Sequence, residues 1–243
     1  MPVAVSFFVT WILLWGYAQT RPDFSSPEQI VDVVDRGTND ERRQLRGVLN
    51  LPFDLRSGCD ATAERATLEI GHDDAVVQIK CSYDFDLILL RHLQSGSWSL
   101  VDSLPLDAAY DMLTIQLRNI LGPKEKQVVI HNHVVGRGTG LLQTNFMIMT
   151  VAAGKFRVVL DAVEEAHVSP DKQPDDFVKQ KSTFEIEPEA RDGLSSIVET
   201  QILSAHGTRM VLKREYDWDE RLGEFQPSFW SSVKPISGTP KTP

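Results

Sequence analysis

His131-Asn132-His133 is the tightest cluster of chemistry-bearing side chains in the sequence. In a strand, residues two apart face the same way, so both imidazoles would approach one metal ion, zinc or copper. A third ligand would have to come from another strand, and His92, Asp161 and Glu164 are the candidates. The alternative is a pair of histidines on a polar sheet face. No cofactor is expected unless that third ligand converges.

Other residue groups point to other chemistries. Gly136-Arg137-Gly138-Thr139-Gly140 offers backbone N–H groups and one guanidinium, which makes Arg137 a candidate ligand-binding residue. The stretch joins two predicted strands and lacks the Lys-Ser/Thr of a phosphate loop, so a hairpin loop is its first reading. Asp161, Glu164, Glu165 and His167 could supply the carboxylate pair of a glycoside hydrolase. A charged strand edge that deters unwanted pairing explains them as well. Asp217, Asp219 and Glu220 precede Gly223, but their spacing does not fit an EF-hand. Among the aromatics at strand or turn positions (Trp98, Trp218, Phe229, Trp230), Trp218 is the candidate for ligand stacking. The chain has no G-x-S-x-G, no H-E-x-x-H, no Walker A and no G-x-G-x-x-G opening a helix. These absences weigh against the enzymes that depend on such motifs.

Two short helices come first among the elements that must position these residues. Ser26-Pro27-Glu28-Gln29 and Thr38-Asn39-Asp40-Glu41 both read as capping boxes. Ile30, Val33 and Val34, then Leu45, Val48 and Leu49, form apolar stripes at helical spacing. Arg42, Arg43 and Arg46 read as a solvated helix face. From about Ala66 the apolar period falls from 3.6 to 2. Strands are predicted over 66–70, 75–82, 84–93, 97–104, 110–120, 127–135, 141–152, 155–164, 177–187, 196–205, 208–217 and 224–229. Residues 104–121 are ambiguous between strand and helix. Many strands with few helices between them imply antiparallel pairing, because parallel pairs need long crossovers. The expected fold is mainly β, with antiparallel sheets arranged as a sandwich or an incomplete propeller-like array and a short N-terminal helical pair.

Residues 1–18 read as a signal peptide, with an uncharged run through Phe7, Phe8 and Trp11 to Trp15 and small residues at Gly16 and Ala18. The n-region carries no Lys or Arg, so an uncleaved anchor and a buried apolar helix are the alternatives. The expected organisation is 19–55 as a helical pair packed on a β domain over 56–233, with a disordered, Pro-containing tail over 234–243. The net charge of −9 makes nucleic acid a poor partner. Cys59 and Cys81 are an even pair in an exported chain, which points to a disulfide, with two buried free thiols as the alternative.

Hairpins with a glycine turn and a following aromatic recur at Trp98, Phe156 and Phe225. Tyr216-Asp217-Trp218-Asp219-Glu220-Arg221-Leu222-Gly223-Glu224-Phe225 resembles the tryptophan–turn–glycine–aromatic hairpin of exported bacterial β-repeat proteins, including propeller-like ones. Gly138 to Gln143, followed by Gly154-Lys155-Phe156, is similar in style. The resemblance implies a fold and a compartment and assigns no functional residue. The functional expectation is a non-catalytic binding module of the periplasm or secreted space. Its partner would be a protein or cell-envelope ligand, with no stable membrane span after processing. The rival expectation is a carboxylate-dependent hydrolase of glycans or other extracellular polymers.

Overall fold

A computed structural model describes residues 23–82, 84–107, 113–135, 141–168, 178–191, 194–205 and 208–233. The expected leader, the loop holding Arg137 and the expected tail lie outside these residues. A two-residue strand, β1 (Asp23–Phe24), precedes helices α1 (Pro27–Arg36) and α2 (Asn39–Leu49). A five-stranded antiparallel sheet contains β1, β2 (Asp60–Ala66), β3 (Asp74–Cys81), β4 (Asp84–His92) and β5 (Trp98–Asp107), in the order β1-β5-β4-β3-β2. A nine-stranded antiparallel sheet follows. Its strands are β6 (Thr114–Arg118), β7 (Gln127–Val135), β8 (Leu141–Ala152), β9 (Lys155–Val168), β10 (Val178–Arg191), β11 (Leu194–Ala205), β12 (Thr208–Asp219) and β13 (Glu224–Pro227), neighbours in chain order. The short β14 (Ser231–Val233) adds to β12 beyond β13. The fold is therefore mainly β, as expected. Among the described residues no helix is long and apolar enough to cross a membrane.

The helix caps decide where the helical pair sits. At α2 the capping box forms: the Thr38 hydroxyl accepts from the Glu41 amide, and the Glu41 carboxylate accepts from the Thr38 amide at 2.7 Å. At α1 it does not. Ser26 makes no side-chain cap bond, and the Gln29 carbonyl reaches one residue further back to accept from Ser25. The arginine face also differs from expectation. Arg42 is 7 % exposed and donates to the carbonyls of Val34 and Asp35. It satisfies orphan carbonyls at the end of α1 that water would otherwise have to reach.

The five-stranded sheet is buried on both faces, which explains the near-continuous apolar runs Val76-Val77 and Leu87 to Leu90. Alternate residues serve opposite layers. Val77, Ile79, Ile88 and Leu90 meet Ile30, Val34, Leu45 and Leu49 of the helices. Val76, Phe85, Leu87 and Leu89 meet Val128, Ile130 and Met149 of the large sheet. Of the two arrangements left open by the sequence, face-to-face packing of sheets is the one found. The Cys59–Cys81 disulfide ties the start of β2 to the end of β3.

A charged knot joins the two sheets. Arg91 on β4 donates to Asp74 at 2.8 Å and to Glu69 at 2.6 Å. Glu69 in turn accepts from the amides of Ala153 and Gly154 in the β8–β9 turn. Burial opposes ionisation of Glu69, but the Arg91 guanidinium, helped by the two amides, holds its carboxyl below the usual range.

Strand β2 was expected at 66–70 and lies at 60–66 instead. Its sequence, Asp-Ala-Thr-Ala-Glu-Arg-Ala, has little β-branched or aromatic content and so carries a weak strand signal. It is an edge strand, where charges and small residues block further pairing.

The large sheet curls into a half-barrel. Bulges between Thr144 and Asn145 and between Ile148 and Met149 bend the β8–β9 pair. Strands β9 and β10 pair only over Val178–Lys181, then separate. The far half, β10 to β13, folds back over the near half. Phe184, Ile197, Tyr216 and Phe225 thereby pack against Val129, Phe146, Ile148 and Leu160.

Candidate functional site

The curl leaves a concavity of about 500 Å³ between β9 on one side and β12–β13 on the other. Its wall on β9 runs from Val158 to Val163, and Phe225, Gln226 and Pro227 of β13 face that wall. Gln180, Glu199, Arg214 and Tyr216 complete it with polar groups from three further strands. This volume lies in the range of small-ligand sites.

Glu199 organises the polar end. It is 1 % exposed and sits on β11 between Ile197 and Gln201, all three on the inward face. Its Oε1 accepts from the Ser182 hydroxyl at 2.6 Å. Its Oε2 accepts from Arg214 Nε and from the Tyr216 hydroxyl, each at 2.7 Å. Burial, reinforced by the bond to Glu199, pushes the Tyr216 phenol well above its usual value, so it remains a donor at any physiological pH. The guanidinium carbon of Arg214 lies 4.8 Å from the Tyr216 ring and 4.1 Å from the Trp230 ring, within cation–π reach of both. Trp230 is 37 % exposed, and its neighbour Phe229 is fully exposed.

An aromatic line crosses the same curled face. His131 meets Phe146 at 5.2 Å, Phe146 stacks on Phe184 at 4.4 Å, and Phe184 leads to Tyr216 at 6.3 Å. This line fixes the far half of the sheet on the near half, and so fixes the shape of the concavity.

The candidate residues from the sequence fall in several places. His131 Nδ1 lies 2.9 Å from Glu164 Oε2, so one of the proposed metal partners does come to it. His133 stands two positions along β7, opposite Thr144, and its side chain lies outside the described set. His92 is on the other sheet, beside Asp73 and Trp98, and Asp161 lines the concavity instead. Among the described residues no three His, Cys, Asp or Glu side chains gather as a metal set. Trp218 packs edge-on against Phe225 across the β12–β13 hairpin at 5.2 Å. Arg137 lies outside the described residues.

Sequence reading missed Glu199, Arg214, Tyr216 and Ser182. One signal was present: within the apolar run Ile197 to Leu203, a glutamate falls on the same period-2 face as Ile197. A charge at a core-facing position needs partners, and those partners are named only by the strand pairing.

One further buried carboxyl stands apart. Asp86 on β4 is fully buried, and neither oxygen has a hydrogen-bond partner. Its cross-strand neighbour is Pro105, which has no N–H to donate. Burial pushes its carboxyl up to about 7 against the pull of the Leu104 amide, and the Asp102 charge adds to the rise.

No protein-family model, curated protein or solved structure matches this chain.

Proposed function

We propose that this chain is a non-catalytic binding module of the periplasm or secreted space, and that it takes its ligand into the concavity between β9 and β12–β13. The use made of Glu199 carries this reading. Its oxygens are engaged by Ser182, Arg214 and Tyr216, so the buried carboxylate acts as a fixed anchor for an arginine at the ligand wall. A general acid or base needs a carboxyl free to exchange a proton with substrate. Export is supported by the leader-like opening and by the disulfide, which persists in oxidising compartments. The exposed Phe229 and Trp230 offer aromatic surface to a cell-envelope or protein partner.

The test is nuclear magnetic resonance with methyl-labelled Val and Leu and a panel of small carboxylates, amines and sugars. Shifts concentrated at Val158, Leu160 and Val163 are the expected result. A panel that perturbs only other surfaces, or nothing, refutes the reading.

One observation favours a hydrolase: Asp161, Glu199 and Glu224 line one concavity. Turnover of nitrophenyl glycosides, abolished by both Asp161→Asn and Glu224→Gln, would establish it. We expect no turnover.

A further inference from the structure

Resting on the reading that the concavity binds a ligand, we propose that the ligand is a monocarboxylate carried on a flat apolar body, held by the outer edge of Arg214. The guanidinium is oriented from behind. Its Nε is occupied by Glu199, which is 1 % exposed and cannot move away without losing Ser182 and Tyr216 as well. The contact to Glu199 is made through Nε, and the side chain is 22 % exposed, which leaves part of the guanidinium open to a ligand. A planar fork with parallel N–H groups matches the two oxygens of a carboxylate.

The surroundings select the rest of the ligand. Val159 and Leu160 are buried beside Phe225, and Val158, Val163 and Pro227 also line the concavity, so apolar groups stand beside the polar ones to receive a hydrocarbon body. Trp230 adds an aromatic face 4.1 Å from the guanidinium carbon. Asp161 and Glu224 also line the concavity, and Glu224 holds the Gln226 amide at 2.8 Å. Asp161 and Glu224 repel any anion, and they repel a dianion more strongly than a single carboxylate that the Arg214 fork holds. The site therefore discriminates against a dianionic phosphate of the same body.

The experiment titrates the whole mature chain with 4-ethylbenzoate, 4-ethylphenyl phosphate and 4-ethylbenzylamine, reading tryptophan fluorescence and the Val158 and Val163 methyl signals. N-acetylphenylalanine is the fourth arm and distinguishes a chain-terminal carboxylate from a small free acid. The benzoate is expected to bind at least about tenfold tighter than the phosphate and the amine. Arg214→Lys keeps a cation for Glu199 but loses the fork, and is expected to weaken the benzoate about tenfold. Trp230→Ala, at a partly exposed position, is expected to weaken it several-fold without altering the fold. Equal binding of the benzoate to the wild type and Arg214→Lys overturns the proposal, as does preference for the amine. If other fragments occupy the concavity and carboxylates do not, this inference fails while the binding reading stands. If nothing enters the concavity, both fail.

Discussion

Asp86 is a carboxyl in a place built for a neutral group. It is fully buried, has no hydrogen-bond partner among the described residues and pairs with a proline on β5. Its folded value of about 7 exceeds the ordinary value of 3.8, so the folded chain holds this proton more tightly than the unfolded chain. Stability from this group is fully present below the unfolded value and is lost as pH rises towards the folded one. The full shift corresponds to roughly 4 kcal/mol as an upper bound, and relaxation of the folded chain around the charge leaves an expected effect of about 2 kcal/mol. Asp86→Asn should therefore raise the melting temperature at pH 8 by about 5 °C and change it little at pH 4. Thermal melts across that pH range check this, and an equal effect at both ends refutes it. Glu199 is the contrasting case at the same scale. It is as buried as Asp86, but donors from Ser182, Arg214 and Tyr216 surround it. A charge in the core needs such a shell, and two strands supply it here.

At the scale of elements, the β8–β9 turn links the sheets. Gly154 has φ +72°, and a Cβ there would come within 2.8 Å of Val101 on β5. Gly154→Ala meets both a left-handed backbone and a steric conflict. It is expected to cost about 2 kcal/mol, measured by urea denaturation, and a neutral outcome would show that the turn can shift away from β5. Elements also show where sequence patterns suffice. The Thr38 capping box and the strands Gln127–Val135 and Leu141–Ala152 were readable because local chemistry alone specifies them. Strand β2 was not, because its partner β3 rather than its own propensity holds it extended. Arg42 was misread because the helix end that it caps belongs to another element.

For the whole molecule, stability depends on two ties. Arg91 joins Asp74 and Glu69, and Glu69 reaches the other sheet. Arg91→Ala leaves the fully buried Asp74 carboxylate without its cation and is expected to cost about 3–5 kcal/mol in urea denaturation. Loss below about 1 kcal/mol would show that the knot is dispensable. The Glu69 part of this tie holds above the ordinary glutamate range and fades as pH falls through its lowered folded value. The second tie is the disulfide. Replacing Cys59 and Cys81 together by serine is expected to cost about 3 kcal/mol, with reductant producing a similar loss in the wild type.

The sequence by itself left the two cysteines open between a disulfide and free thiols, and it determined the mainly β class, the antiparallel pairing and the helical pair. These rest on period, turn chemistry and composition, which are local or countable properties. Only the tertiary structure decided that the large sheet curls, that β9 and β10 separate after a short pairing, and that Glu199, Arg214 and Tyr216 meet. A site assembled across strands depends on register and curvature, and those are set by packing between distant segments rather than by any one stretch of chain.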